Sequence, residues 1–238
     1  MVRCGFGLPT SLRSLASGAP EVREAAGPPS REWALAELVD LERYPILEKG
    51  GKYEVLAGAN GDDLAKDGFC VLRGFLRPAA VQAMLDEISE VGSNCFIAQR
   101  KVNPWGESPE KYASAKSKTI PEQHPKRKGL DSTTGVITCN ELATAGPLRT
   151  LYAHAGVLEL FTRIAGTPIP LCHHADELAA CTASIFDSGH IKEWSFVPTP
   201  LEATVFLQAA AKGGEVEVLP RVFERVEAGD EQATEVLI

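Results

Sequence analysis

The residues with the widest chemical range in this chain are five histidines, His124, His154, His173, His174 and His190. His174-Ala175-Asp176 is an H-x-D triplet, and on a strand residues i and i+2 face the same side. An imidazole and a carboxylate so placed can hold two positions of a non-haem iron, with a distant His as the third ligand and one face left open. The one histidine downstream is His190, fourteen residues after Asp176. That separation leaves no room for the several strands that would carry a third ligand across a barrel. The competing reading of His173 and His174 is ordinary loop or strand-end residues, since an H-x-D triplet arises often by chance.

Other signatures of chemistry are missing. The sequence has no G-x-x-x-x-G-K-[ST], no H-E-x-x-H and no calcium loop, and Gly5-Phe6-Gly7 lacks the third glycine and preceding strand of a dinucleotide turn. Ser195 lies outside any G-x-S-x-G and has no well-placed His–Asp pair to activate it. The cysteines Cys4, Cys70, Cys95, Cys139, Cys172 and Cys181 form no C-x-x-C pair. Several sit in apolar runs such as Phe69-Cys70-Val71-Leu72 and Val136-Ile137-Thr138-Cys139. That distribution favours buried free thiols in a reducing compartment over disulfides. With no N-x-[ST] sequon either, the expectation is an intracellular, cytoplasmic protein.

The elements that must position these residues fall within 238 residues, of which 44% are hydrophobic and 24% charged, the profile of a globular domain with a sizeable core. A formal net charge of −8 disfavours a nucleic-acid or anionic-membrane face. No apolar run approaches the ~20 residues that span a bilayer. Residues 1–30 are rich in Gly, Ala, Pro and Ser. Arg3, Arg13 and Arg23 precede or flank the first acid at Glu21, so this stretch reads as a disordered tail, with an organelle-targeting segment as the weaker alternative. Residues 31–62 read as a helical lead-in whose first helix starts after Ser30 and runs through Trp33, Leu35 and Leu38.

From residue 63 to 238 the patterns imply one further unit. Leu64 to Gly68 leads into a short strand, Phe69 to Leu72. A helix then opens at Pro78, with Val81, Met84, Leu85 and Ile88 on one stripe and Gly92 as its stop. Residues 93–130 read as a long polar loop with four prolines and many lysines and arginines. It is either a solvated loop or an electropositive rim for an anionic substrate. A second helix runs from Pro147 to Gly166. Short strands follow at Thr182–Phe186, Ala203–Leu207 and Glu215–Leu219, with Gly213-Gly214 as a hairpin turn, and residues 222–238 read as helical. Helices first and antiparallel strands later predict an α+β protein.

Several stretches resemble a group of small iron(II)/2-oxoglutarate-dependent oxygenases that includes free-substrate hydroxylases and amino-acid halogenases. Asp67-Gly68-Phe69-Cys70-Val71-Leu72-Arg73-Gly74-Phe75-Leu76 is similar to their opening strand–helix segment. Pro121 to Arg127 resembles the loop before their first core strand, and Pro147 to Tyr152 their core helix. The family pattern Trp-His-x-Asp, a strand ending in Leu-Gln and then Gly-Gly-x-Phe-Glu aligns with three segments. These are Trp194-Ser195-Phe196-Val197, Thr204-Val205-Phe206-Leu207-Gln208 and Gly213-Gly214-Glu215-Val216-Glu217.

The resemblance implies a partial double-stranded β-helix, or jelly roll, with N-terminal helices packed on it. The family's cofactors are iron(II) and 2-oxoglutarate. Where its iron-binding His and Asp stand, this chain has Ser195 and Val197, and no His follows His190. The family's distal His and its carboxylate-binding Arg would come after Ile238. The expectation is therefore a degenerate relative without turnover, with no catalytic, cofactor-binding or metal-binding residue in this chain. Alternatives are an active oxygenase with unusual ligands or one completed by a longer product or a partner chain, and a non-catalytic binding or scaffold module. An incomplete barrel also implies self-association through an unpaired sheet edge near Ala203–Leu207 or Glu215–Leu219.

Overall fold

A computed structural model describes residues 2–7, 32–113, 120–196 and 201–235. The helical layer comprises α1 (Leu35–Leu38), α2 (Gly51–Asp67), α3 (Pro78–Glu90), α5 (Pro147–Ala153) and α6 (Ala155–Ala165), with the short α4 (Glu110–Ala113) apart from it. α3 follows from its sequence. Pro78 opens it, where a missing N–H costs nothing, and Met84 of the apolar stripe is fully buried. α2 is longer than the sequence suggests: the segment read as a lead-in to a strand is its last turn, closed by Gly68 at φ 75°. A side chain at Gly68 would also strike Pro220, so both backbone angle and space call for glycine there.

The helix expected over 147–166 is two helices. His154 between them is extended, and its Nδ1 accepts the Gly156 N–H at 3.0 Å, starting α6 afresh. Nor is Phe69–Leu72 a strand. It runs unpaired, and the pairing moves one step on, to a bridge between Leu76 and Val39. The first helix begins after Ala34 rather than Ser30.

The sheet is antiparallel throughout, from β1 (Val2–Gly7), β2 (Phe96–Val102), β3 (Leu130–Ile137), β4 (Cys172–His173), β5 (Cys181–Ile185) and β6 (Leu201–Val205). The order runs β2-β3-β5-β1, with β4 and β5 beside one edge of β1 and β6 beside the other. Thus part of the stretch read as a tail, Val2–Gly7, is a strand inside the sheet; residues 8–31 lie outside the described residues. Val2, Cys4 and Phe6 alternate with Arg3 and Gly5, a short signal averaged away by the composition of thirty residues. The polar loop expected over 93–130 contains β2, paired residue for residue with β3 from Phe96↔Val136 to Val102↔Leu130. β2 is an edge strand exposed at five of its seven positions, so it folds without an apolar face. Glu215–Leu219 does not pair, although Gly213 and Gly214 take the positive φ of turn glycines.

Ile137, Cys181 and Ala183 of the sheet join Leu38, Met84, Leu148, Val157 and Leu160 of the helices in one apolar core. Among the described residues no helix is long and apolar enough to cross a membrane. Two short C-terminal helices, α8 (Val222–Glu227) and α9 (Glu231–Glu235), pack elsewhere. Val222, Val226 and Ala233 form a second, small core with Trp105, Trp194 and Phe196.

Candidate functional site

That second core contains the stretch where the resemblance would put iron ligands. Its foundation is Asn103, 1% exposed, at the end of β2. The Asn103 Oδ1 accepts the N–H groups of Trp105 (3.0 Å) and Glu107 (3.1 Å), while its Nδ2 donates to the Lys126 carbonyl at 3.0 Å. A buried amide with its bonds made fixes the backbone around it, and here it fixes Trp105. Phe196 then bonds through its N–H to the Pro104 carbonyl (2.8 Å). Its ring meets Trp105 edge-on at 4.8 Å and Phe223 of α8 at 5.1 Å. Lys126 Nζ lies 4.7 Å over the Trp105 ring and 3.1 Å from Glu227 Oε1. A cation over the face of an indole, held also by a carboxylate, ties the loop before β3 to α8.

Residues 192–196 are irregular rather than a strand. Trp194 and Phe196 turn into the cluster, and Ser195 between them is exposed. Val197 lies outside the described residues. Strand alternation therefore does not aim residue 195 inward.

Like His154, three further histidines bond to backbone N–H groups within three residues of themselves. His124 Nδ1 accepts the Lys126 N–H (3.1 Å), and His174 Nδ1 accepts the Asp176 N–H (3.1 Å). His190 Nδ1 accepts the Asp187 N–H (3.2 Å), and Asp176 in turn caps the short α7 (Glu177–Ala180) through the Leu178 N–H (3.0 Å). His173 Nε2 reaches the Tyr152 carbonyl at 2.9 Å. With Nδ1 taking a nearby backbone N–H, His124, His174 and His190 serve as caps and turn formers. Among the described residues no three His, Cys, Asp or Glu side chains are grouped to hold a metal ion. Burial, with help from Lys126 and Arg127, holds His124 below the usual imidazole range.

Sequence reasoning missed Asn103, Trp105 and Glu87, and it placed Lys126 only among the basic residues of the 93–130 loop. Glu87 of α3 is buried in the main core, where its carboxylate accepts the N–H groups of Ala143 (3.1 Å) and Leu148 (3.3 Å). Burial pushes its pKa up, and those two bonds pull it part of the way back. A Cβ at Gly146 would overlap the carboxylate, so Gly146 is what lets it dock. Signals existed: Asn103-Pro104 is a turn dipeptide, and Glu87 falls on the buried stripe of Ala80 and Met84.

Comparison of the chain with family models, with curated proteins and with solved structures found no match.

Proposed function

We propose that this chain is a non-catalytic relative of the iron(II)/2-oxoglutarate-dependent oxygenases, built on part of their jelly roll and retained for binding rather than turnover. One observation carries the reading. Trp194 and Phe196, which flank the position of the family's first ligand, are committed to packing against Trp105, Phe223 and α8, and the side chain between them is a solvent-exposed serine. A serine hydroxyl is a poor ligand for iron(II) beside an imidazole, and the valine at 197 offers no donor atom. The segment aligned with the metal-binding strand thus contributes stability, through aromatic contacts of about 0.5–1.5 kcal/mol each.

The test is titration of the purified chain with iron(II), together with an assay for succinate released from 2-oxoglutarate. The expected outcome is no stoichiometric binding at micromolar iron(II) and no succinate. Micromolar binding with succinate release would replace this reading with that of an active oxygenase using other ligands.

A further inference from the structure

Two segments of this chain are each half of a β-ladder. The first is the outer edge of β2, which meets no other strand among the described residues. It is apolar at one end, with Phe96 66% and Ile97 46% exposed, and basic at the other, with Arg100 and Lys101 exposed. The second is Glu215-Val216-Glu217-Val218-Leu219, whose two valines alternate with two glutamates as a strand's would. All five side chains are exposed, and the segment pairs with no described strand. It is anchored next door, where Arg221 Nη2 donates to the Ala65 carbonyl at 2.5 Å.

We propose that Glu215–Leu219 of one copy adds as an antiparallel strand to the β2 edge of a second copy. The exchange is reciprocal, so that it closes into a homodimer. Opposing Glu215 to Lys101 sets Glu217 against Gln99 and Leu219 against Ile97, which matches acid to base at one end and apolar to apolar at the other. Oppositely charged and apolar cross-strand pairs stabilise a ladder, whereas like charges oppose it. Main-chain hydrogen bonds along an exposed edge supply the affinity, and the side-chain pattern supplies the choice of edge.

Another edge left open among the described residues, that of β6, is the poorer acceptor. It carries Glu202, which would face the acids of the incoming strand, and its side chains are all half-buried where most of those of β2 are exposed. Reciprocity matters because one-way addition would not close and would run on into fibres. The dimer is independent of whether the chain binds iron, so its failure would leave the functional reading untouched.

Sedimentation velocity across a range of salt and protein concentrations tests the proposal on four samples. They are the parent chain, E215K/E217K, R100E/K101E, and an equimolar mixture of the two variants, with circular dichroism to establish that each variant is folded. The parent should dimerise at low salt and dissociate as salt screens the pairs. Each variant alone sets like charges against each other and should bind itself at least about tenfold more weakly. In the mixture both ladders regain opposite charges, so the dimer should return. A monomeric parent at low salt, a polymer without limit, self-association unchanged in both variants, or a mixture that stays monomeric would each overturn it.

Discussion

The main core and the aromatic cluster around Trp105 are held by different means. The first is large and continuous, joining buried residues of α3, α5 and α6 to Ile137, Cys181 and Ala183, with Tyr44, Tyr53, Phe75 and Tyr152 buried among them. The second has three buried apolar residues among those described, Val222, Val226 and Ala233, beside the buried Asn103. Its remaining cohesion comes from half-exposed rings, a lysine over an indole and the hydrogen bonds of one asparagine. A core of the first kind loses stability as a whole when any part is hollowed out, because its side chains share neighbours. A cluster of the second kind can let go of its helices locally, since little apolar area joins them to the rest.

The sharpest way to break this contrast is Leu160→Ala. Leu160 is fully buried on α6, and the cavity left behind should cost about 2–5 kcal/mol. The whole thermal transition should move down as one, with amide protection falling in α3, α5 and α6 together. A change confined to α6 would show that the main core is not one cooperative body.

Trp105→Ala is the matching change in the cluster. It removes the ring that Phe196, His124 and Lys126 share, and should cost about 1–3 kcal/mol, the ordinary range for a lost packing contact. Hydrogen exchange should show protection lost across α8 and α9 while α3 and α6 keep theirs. Equal loss in both places would mean that the two regions form one unit and that the comparison is mistaken.

The same division explains what was legible in the sequence. α3 was readable because Val81, Met84, Leu85 and Ile88 repeat at helical spacing behind a proline, and burial follows that repeat. β5 was readable as a short run, Thr182–Phe186, and the strand lies one residue earlier at Cys181–Ile185, with Cys181, Ala183 and Ser184 buried. β2 was not, since an edge strand needs hydrogen-bond partners rather than an apolar face, and Gln99-Arg100-Lys101 looks like a loop until β3 is beside it. The reverse error fell on Glu215–Leu219, whose alternation is sound but whose partner is absent from the described residues. The cluster was illegible for a further reason. Trp105, His124, Phe196 and Phe223 are far apart in the chain and share no period, so nothing local marks them as neighbours.

The smallest expected effect separates the two regions by the sign of their response to pH. In the main core, burial raises the Glu87 carboxyl above its ordinary range. A carboxyl raised in the folded state takes up its proton more readily there than in the unfolded chain. Its contribution is therefore full below the unfolded value of about 4.3 and declines as pH rises through the folded one. In the cluster the signs reverse. His124 is held low mainly by burial, so its contribution is full above the unfolded value of about 6.5 and is lost as pH falls toward the folded one. A protonated ring also cannot accept the Lys126 N–H that it now caps. Glu107 is lowered by its bonds to Lys111 and Tyr112, and Asp230 by Arg225 and the Ala233 N–H, so both act in the same direction at lower pH. Acidification from neutrality should therefore reduce protection factors at residues 222–230 first, while those around Ala143–Leu148 hold or rise. Losing the cap altogether, as in His124→Ala, should cost about 1 kcal/mol or less at neutral pH and abolish the part of the cluster's response near the histidine range. The step belonging to Asp230 and Glu107 should remain. If residues 143–148 and 222–230 lose protection together with acid, or if His124→Ala leaves the cluster's response unchanged, the cluster does not depend on its histidine cap and the contrast must rest on packing alone.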